Sequence, residues 1–199
     1  MFTGLIETTG RIDRLDRSPA GARLRVATSI AAALQPGDSV AVNGVCLTAI
    51  VVTKNTFEAD LAPETLRVTS LGSMTEGRLV NLERPVRADA RMGGHFVLGH
   101  VDAIGTIRSL TPDGDCYRLD VDVPSAVWQY VIPKGSLAID GISLTIASES
   151  AGQVGVQIVP FTFAHTSLGE ASAGDVVNLE ADVLGKYVAR LLDARVAAR

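Results

Sequence analysis

The same short stretch occurs twice in this 199-residue sequence: SVAVNGVCLTA at Ser39 to Ala49 returns as SLAIDGISLTI at Ser136 to Ile146. Gly44 and Gly141 lie 97 positions apart, as do Thr48 and Thr145. That offset also aligns PETLRVTSLG (Pro63 to Gly72) with PFTFAHTSLG (Pro160 to Gly169), and GRLVNLE (Gly77 to Glu83) with GDVVNLE (Gly174 to Glu180). Near the front the offset is 95 and sets GLIETTGRI (Gly4 to Ile12) against GHVDAIGTI (Gly99 to Ile107), a drift that one small insertion explains. Four blocks in one order define a tandem duplication. The period is too long for a solenoid unit and suits a whole small domain. The chain is therefore expected to form two like domains over 1–90 and 91–183, joined near ERPVRADARMGG, with a closing segment over 184–199.

Within each copy, short alternating or β-branched runs stand between Gly, Pro, Asn and Asp, the pattern of strands and turns. Asn43-Gly44 and Asp140-Gly141 are strong hairpin signals, because both residues accept the positive φ of a type I′ turn. Many short strands per copy predict a small closed barrel, since an open sheet of that size leaves unpaired edges. The segment after Gly37 and PSAVWQYVIPKG are each expected to hold a short helix. DVLGKYVARLLDARVAAR has no counterpart in the first copy, and Leu184, Tyr187, Val188, Leu191 and Leu192 fall on one face of a helix. A terminal helix outside a duplicated core has no intrachain mate built for it, so it is expected to meet its equivalents on other copies.

A 47% hydrophobic share beside 20% charged residues suits a globular protein. The net charge of −4 argues against a nucleic-acid partner. No apolar run approaches the roughly 20 residues of a membrane span, and MFTGLIETTG has neither a basic leader nor a cleavable apolar segment. Cys46 and Cys116 sit in dissimilar contexts and read as free thiols in a reducing cytoplasm. No metal is expected: His95 and His100, five apart in GGHFVLGH, would point to opposite faces of a strand. No cofactor is expected either, for there is no dinucleotide fingerprint, P-loop or nucleophile elbow. What remains is a matched set of small polar groups. Cys46 and Thr48 share one face of the strand past the first hairpin, and Ser143 and Thr145 repeat the arrangement. Singly each reads as strand propensity or core filler; together they describe two similar pockets for two similar ligands.

MFTGLIE, VNGVCLT, PETLR, GGHFVLGHVD and KGSLAIDGISLT together resemble the riboflavin synthase family, from end to end of the chain. The resemblance implies an all-β fold of two tandem six-stranded Greek-key β-barrels plus a C-terminal amphipathic helix, assembled as a homotrimer through that helix in the cytoplasm. It implies a dismutation without external cofactor: two molecules of 6,7-dimethyl-8-ribityllumazine exchange a four-carbon unit to give riboflavin and 5-amino-6-(D-ribitylamino)uracil. Its first pocket would use Gly4, Leu5 and Ile6, then Cys46, Leu47 and Thr48, then Asp60, Leu61, Ala62, Pro63, Glu64 and Thr65. The second would use Gly99, His100 and Val101, Lys134, then Ser143, Leu144 and Thr145, then Gln157, Ile158, Val159, Pro160, Phe161 and Thr162. The productive site in such proteins pairs the first barrel of one subunit with the second of its neighbour. Cys46 and His100, helped by Ser39 and Thr48, are the expected catalytic groups, handling protons or serving as a transient nucleophile. Lys134 and Ser143 would orient the second ring. Phe161 departs from the Glu expected by analogy with Glu64, and Val45 stands where some relatives carry a second cysteine. The rival reading is a non-catalytic lumazine- or flavin-binding carrier on the same duplicated barrel; the polar groups kept in the second copy favour the enzyme. Contact with lumazine synthase, the source of the substrate, is left open.

Overall fold

Alternation in TTGRIDRLDRS and GARLRVA becomes a long hairpin of β1 (Thr8–Ser18) and β2 (Gly21–Ala27), with Ile12, Leu24 and Val26 turned inward. The computed structural model describes residues 1–197. After a 3-10 turn over Ser29–Ala33 come β3 (Ser39–Val42), β4 (Val45–Thr48), β5 (Val51–Val52) and β6 (Thr56–Leu61). The short helix α1 (Pro63–Val68), with proline in its first turn, then leads toward β7 (Leu79–Glu83). The sheet order is β4-β3-β7-β1-β2-β6-β5. Its two ends are consecutive in the chain, separated only by Ala49 and Ile50, and the Ile50 N–H still donates to Glu58 O at 2.8 Å. Counting β4 and β5 as one interrupted strand gives a six-stranded barrel.

The second copy repeats the course with β8 (Ala103–Asp113), β9 (Cys116–Asp122), α2 (Ser125–Trp128), β10 (Ser136–Ile139), β11 (Ile142–Ser150), β12 (Gln153–Ile158), α3 (Pro160–His165) and β13 (Val176–Ala181). Its barrel closes in the order β10-β11-β12-β9-β8-β13, the same order as the first. In both, the second strand skips to the fifth and the third to the sixth, the crossing of a Greek key. Each barrel has its own core, around Leu24, Phe57 and Leu82 in one and Leu119, Ile139 and Ile146 in the other. A third cluster of Phe2, Ala41, Val97 and Ala138 joins them.

Both hairpin turns have the expected handedness: φ is +45° and +74° at Asn43 and Gly44, and +46° and +77° at Asp140 and Gly141. The two tips also touch, because a Cβ on either Gly44 or Gly141 would fall 2.7 Å from the backbone nitrogen of the other. The helix expected in PSAVWQYVIPKG is α2, but the one expected after Gly37 is absent. There the β-favouring Ser-Val-Ala-Val opens β3, and the helical turn lies earlier, on the alanine-rich SIAAA. The closing helix α4 spans Val183–Ala197; Ala198 and Arg199, part of the expected segment, lie outside the described residues. Leu184, Tyr187, Val188, Leu191 and Leu192 are all exposed. Among the described residues no helix is long and apolar enough to cross a membrane.

Candidate functional site

Each barrel is preceded by an arm, and the arms cross. Gly4, at φ +76°, accepts a hydrogen bond at its carbonyl from Ser143 N (2.8 Å); Gly99, at φ +80°, accepts one from Cys46 N (2.9 Å). A Cβ on Gly4 would fall 2.6 Å from Ser143 Cβ, and one on Gly99 2.6 Å from Cys46 Cβ, so only glycine fits these two left-handed positions. Between them Phe2 and Val97 pair as an antiparallel bridge. Ile6 packs on the second core and Val101 on the first. This corrects the grouping expected from sequence. Gly4, Leu5 and Ile6 belong with Ser143, while Gly99, His100 and Val101 belong with Cys46.

Register sets what each wall shows. Ser39 stands opposite Thr48 and Ala41 opposite Cys46; Ser136 stands opposite Thr145 and Ala138 opposite Ser143. Cross-strand partners share a face, so Ser39, Cys46 and Thr48 line one outer wall, and Ser136, Ser143 and Thr145 the other. Ser136, the counterpart of Ser39, was not singled out from sequence. Leu47, Leu61, Leu144 and Ile158 are buried in the cores, so of these expected site residues only the backbone can face a ligand. Asp60 and Gln157 point outward. Asp60 is held by Arg23 (Nε–Oδ1 2.6 Å), and Glu64 by Arg67. Ala62 and Pro63 begin α1, and Val159 and Pro160 begin α3. Thr65 and Thr162 sit half-buried in these helices, their carbonyls accepting the hydroxyls of Thr69 and Thr166. Phe161 is 71% exposed. Lys134 is exposed at φ +65°, and its N–H donates to Ile146 O as Gly37 donates to Ala49 O. Leu5 and His100 are exposed. Ser39 also opens onto a cleft of about 630 Å³ bordered by Leu5, Glu83 and Arg84.

His95 and His100 do not lie on a strand; the glycine-rich arm is irregular there apart from the bridge at Val97. His95 is buried, with Nδ1 2.7 Å from Ser143 Oγ and no partner at Nε2. Burial pushes its pKa below the usual histidine value, against a smaller opposing pull from Asp182. Sequence reasoning had used this histidine only to reject a metal pair. Among the described residues no group of three His, Cys, Asp or Glu side chains is placed to hold a metal ion.

The repeated VNLE, given no role from sequence, builds both sites. Glu83 accepts Thr3 N (2.6 Å), Thr3 Oγ1 (2.8 Å) and Gly4 N (3.0 Å), and Glu180 accepts Leu98, Gly99 and His100 N–H at 2.7, 3.0 and 3.1 Å. Burial pushes both carboxyls up, while these donors pull them back. Asn81 and Asn178 join the barrels reciprocally. Asn81 Nδ2 donates to Asp140 O and Asn178 Nδ2 to Asn43 O, while their oxygens accept Ser167 N and Ser70 N. The identical blocks had been the signal.

The two copies of one polar wall, each met by the other copy's arm, have a counterpart in known proteins at the level of the duplicated domain. A family model described as a lumazine binding domain matches residues 3–85 and again 98–182. The riboflavin synthase of Actinobacillus pleuropneumoniae is 41% identical over 96% of this chain and 90% of its own length. The chain belongs to the riboflavin synthase family. Relatives with that name in Bacillus subtilis and Mycobacterium tuberculosis are 40% and 42% identical over 96% of this chain, and 90% and 98% of their own lengths. Riboflavin synthases are transferases, and this chain is an enzyme of that family. Solved structures of LumP, in complex with riboflavin and with 6,7-dimethyl-8-(1'-D-ribityl) lumazine, share the duplicated-barrel fold at TM-scores of 0.86 and 0.83. Each is 21% identical and covers 91% of this chain and 99% of LumP.

Proposed function

We propose that the protein makes riboflavin by dismutating 6,7-dimethyl-8-ribityllumazine, one molecule on each wall. One lumazine gives up its four-carbon unit and leaves as 5-amino-6-(D-ribitylamino)uracil; the other takes the unit into a new ring and leaves as riboflavin. Atoms and electrons balance between two like substrates and the two products, so no oxidant, reductant or cofactor enters. The observation that carries the reading is the doubled wall itself, with Ser39, Cys46 and Thr48 answered by Ser136, Ser143 and Thr145.

Both walls face outward on one protomer, where Thr48, Asp60, Glu64, Thr145, Gln157 and Lys134 are exposed. Two rings stacked face to face need a cover over each wall. The proposal therefore sets the Cys46 wall of one subunit against the Ser143 wall of another, in a trimer joined through α4. Holding the rings in reacting geometry can supply about 7–11 kcal/mol of the barrier. Proton transfers add roughly 10²–10⁴-fold. The acidic 7-methyl group is the natural site of deprotonation. Cys46 with His100, both brought to the first wall, is one candidate pair. Ser143 with His95, kept neutral by burial and so able to accept a proton from the hydroxyl, is the matching pair on the second. Lys134 supplies a cation at the rim, and exposed backbone of β4, β11, α1 and α3 supplies donors and acceptors for the carbonyls and ring nitrogens.

Incubation of the purified protein with 6,7-dimethyl-8-ribityllumazine as sole substrate tests this. The expected result is one riboflavin for every two lumazines consumed. Tight binding without product would instead support a non-catalytic carrier on the same duplicated barrel.

A further inference from the structure

The two arms are pinned in the same way, but by cations from different places. Beyond its left-handed glycine each arm carries an acid, Glu7 on the first and, at the matching position, Asp102 on the second. The backbone repeats closely, Glu7 N–H donating to Leu82 O at 3.0 Å and Asp102 N–H to Leu179 O at 2.9 Å. Each carboxylate also accepts the N–H of the residue that follows VNLE, from Arg84 at 2.8 Å and from Ala181 at 2.8 Å. In the first copy that residue brings its own charge: Arg84 Nη2 and Nε reach Glu7 Oε2 at 2.8 and 3.0 Å. Ala181 has none to bring. Lys186 supplies it instead, with Nζ 2.7 Å from Asp102 Oδ1 and 2.6 Å from Oδ2. The cation that pins the second arm comes from α4.

The helix itself gains little from a lysine at this place. Lys186 is the fourth residue of α4, in the turn where the helix dipole disfavours a cation. The acid one turn before it, Asp182, is committed to capping and accepts Leu184 N–H at 3.0 Å. The ammonium serves the arm. Besides Asp102 it acts on Glu180, the carboxylate that accepts the Leu98, Gly99 and His100 N–H groups. Burial pushes Glu180 up; the Leu98 N–H, Lys186 and the Gly99 N–H draw it down, and Asp102 pushes it up again. Lys186 thus neutralises two acids that hold one arm. Only 23% of each side chain in the Lys186–Asp102 pair is exposed, against 42% and 31% for Arg84 and Glu7, so solvent screens it less. His100 stands between the two anchors, its own N–H on Glu180 and Asp102 two residues on.

We propose that Asp102 and Lys186 form a latch through which α4 positions the arm that carries His100. The inference rests on the proposed reaction at the Cys46 wall and adds a pair of positioning residues that act on it without touching substrate. The test uses the full chain with Lys186→Met, Asp102→Asn, both together, and Lys186→Arg. Hydrogen exchange reads the latch without any turnover. The amides of Gly99, His100 and Asp102 should exchange about tenfold faster in the two single neutral variants, while those of Gly4 and Glu7, on the other arm, keep the parent rate. With 6,7-dimethyl-8-ribityllumazine, kcat should fall about tenfold or more and KM change less than about threefold, since His100 is displaced while the walls stay as they were. Lys186→Arg keeps the charge and should recover most of both losses. The double variant should be no worse than the worse single one, as for one shared interaction. Light scattering should give the parent's mass throughout. Unchanged exchange in both neutral variants would overturn the latch, as would equal acceleration in both arms, which would mean general loosening. A lower mass would make the pair a seat for the helix alone and overturn it too. A parent without turnover would sink the proposed reaction, while the exchange rates would still decide the latch.

Discussion

Lys134 holds a left-handed backbone, φ +65°, at the position where the first copy has Gly37 at +98°. A residue with a side chain is disfavoured there by about 1–2 kcal/mol, and among the described residues no carboxylate pairs with this amine to offset it. Strain of this kind points to a task for the side chain. Lys134→Gly should leave the unfolding midpoint unchanged or raise stability by up to about 1 kcal/mol, while KM for the lumazine rises several-fold. A clear loss of stability would mean that the lysine is structural. Asp140 makes a different prediction. It lies in the seam between the barrels beside a cavity of about 20 Å³, room for one water, and burial raises its pKa to about 7. Its folded pKa is above the unfolded value of about 3.9, so the folded state binds more protons. Stability is then lost as pH climbs from about 4 and levels off above about 7. Asp140→Asn copies Asn43 of the first barrel. Its advantage over the parent in urea unfolding should widen from pH 5 to pH 8, reaching on the order of 3 kcal/mol; a gap that does not grow with pH would refute the assignment.

At the scale of elements, the arms are the feature on which both sites depend. A Cβ at Gly99 would meet Cys46 Cβ at 2.6 Å and Cys46 N at 2.9 Å, and the left-handed φ adds to the clash. Gly99→Ala should cost about 2 kcal/mol or more in denaturant unfolding, with turnover falling as His100 is displaced. Glu180→Gln removes a carboxylate that satisfies three backbone donors, and should cost about 1–3 kcal/mol. Much of this architecture was legible, because local spacing encodes it. The Asn-Gly and Asp-Gly turns and the two-residue spacing of Cys46 and Thr48, and of Ser143 and Thr145, specify hairpins and shared faces directly. The crossing of the arms was not legible. It depends on contacts between Gly4 and Ser143, and between Gly99 and Cys46, that are distant in sequence, whereas alignment of the copies pairs each arm with its own barrel. VNLE was visible as an identical block, but its bonds run to the arm and to the other barrel, and no local pattern announces them. His95 was passed over because a strand was assumed where adjacent glycines allow an irregular path.

The whole molecule is two barrels in reciprocal contact, hairpin tip against hairpin tip at Gly44 and Gly141. Buried amides of Asn81 and Asn178 bridge the seam, and Arg11–Glu170 and Arg78–Asp175 pair across it at 2.6 and 3.3 Å. Arg78 and Asp175 occupy equivalent positions in the two copies, so opposite charges meet where an exact duplicate would set like against like. Outside this body stands α4, anchored by Lys186 to Asp102 (2.6 Å) and otherwise showing Leu184, Tyr187, Val188, Leu191 and Leu192 to solvent. On the trimer proposed through α4, ending the chain after Asp182 should give monomers in light scattering where the full chain gives trimers, and abolish turnover, while each wall retains weak affinity for ligand. Full turnover by a monomer would remove the shared-site proposal.

The central claim is that the fold is doubled because the chemistry consumes two like molecules, and it can be counted. Titration of the intact protein with a lumazine analogue lacking the 7-methyl group, which binds without reacting, should saturate at two molecules per chain. Saturation at one per chain would contradict the account.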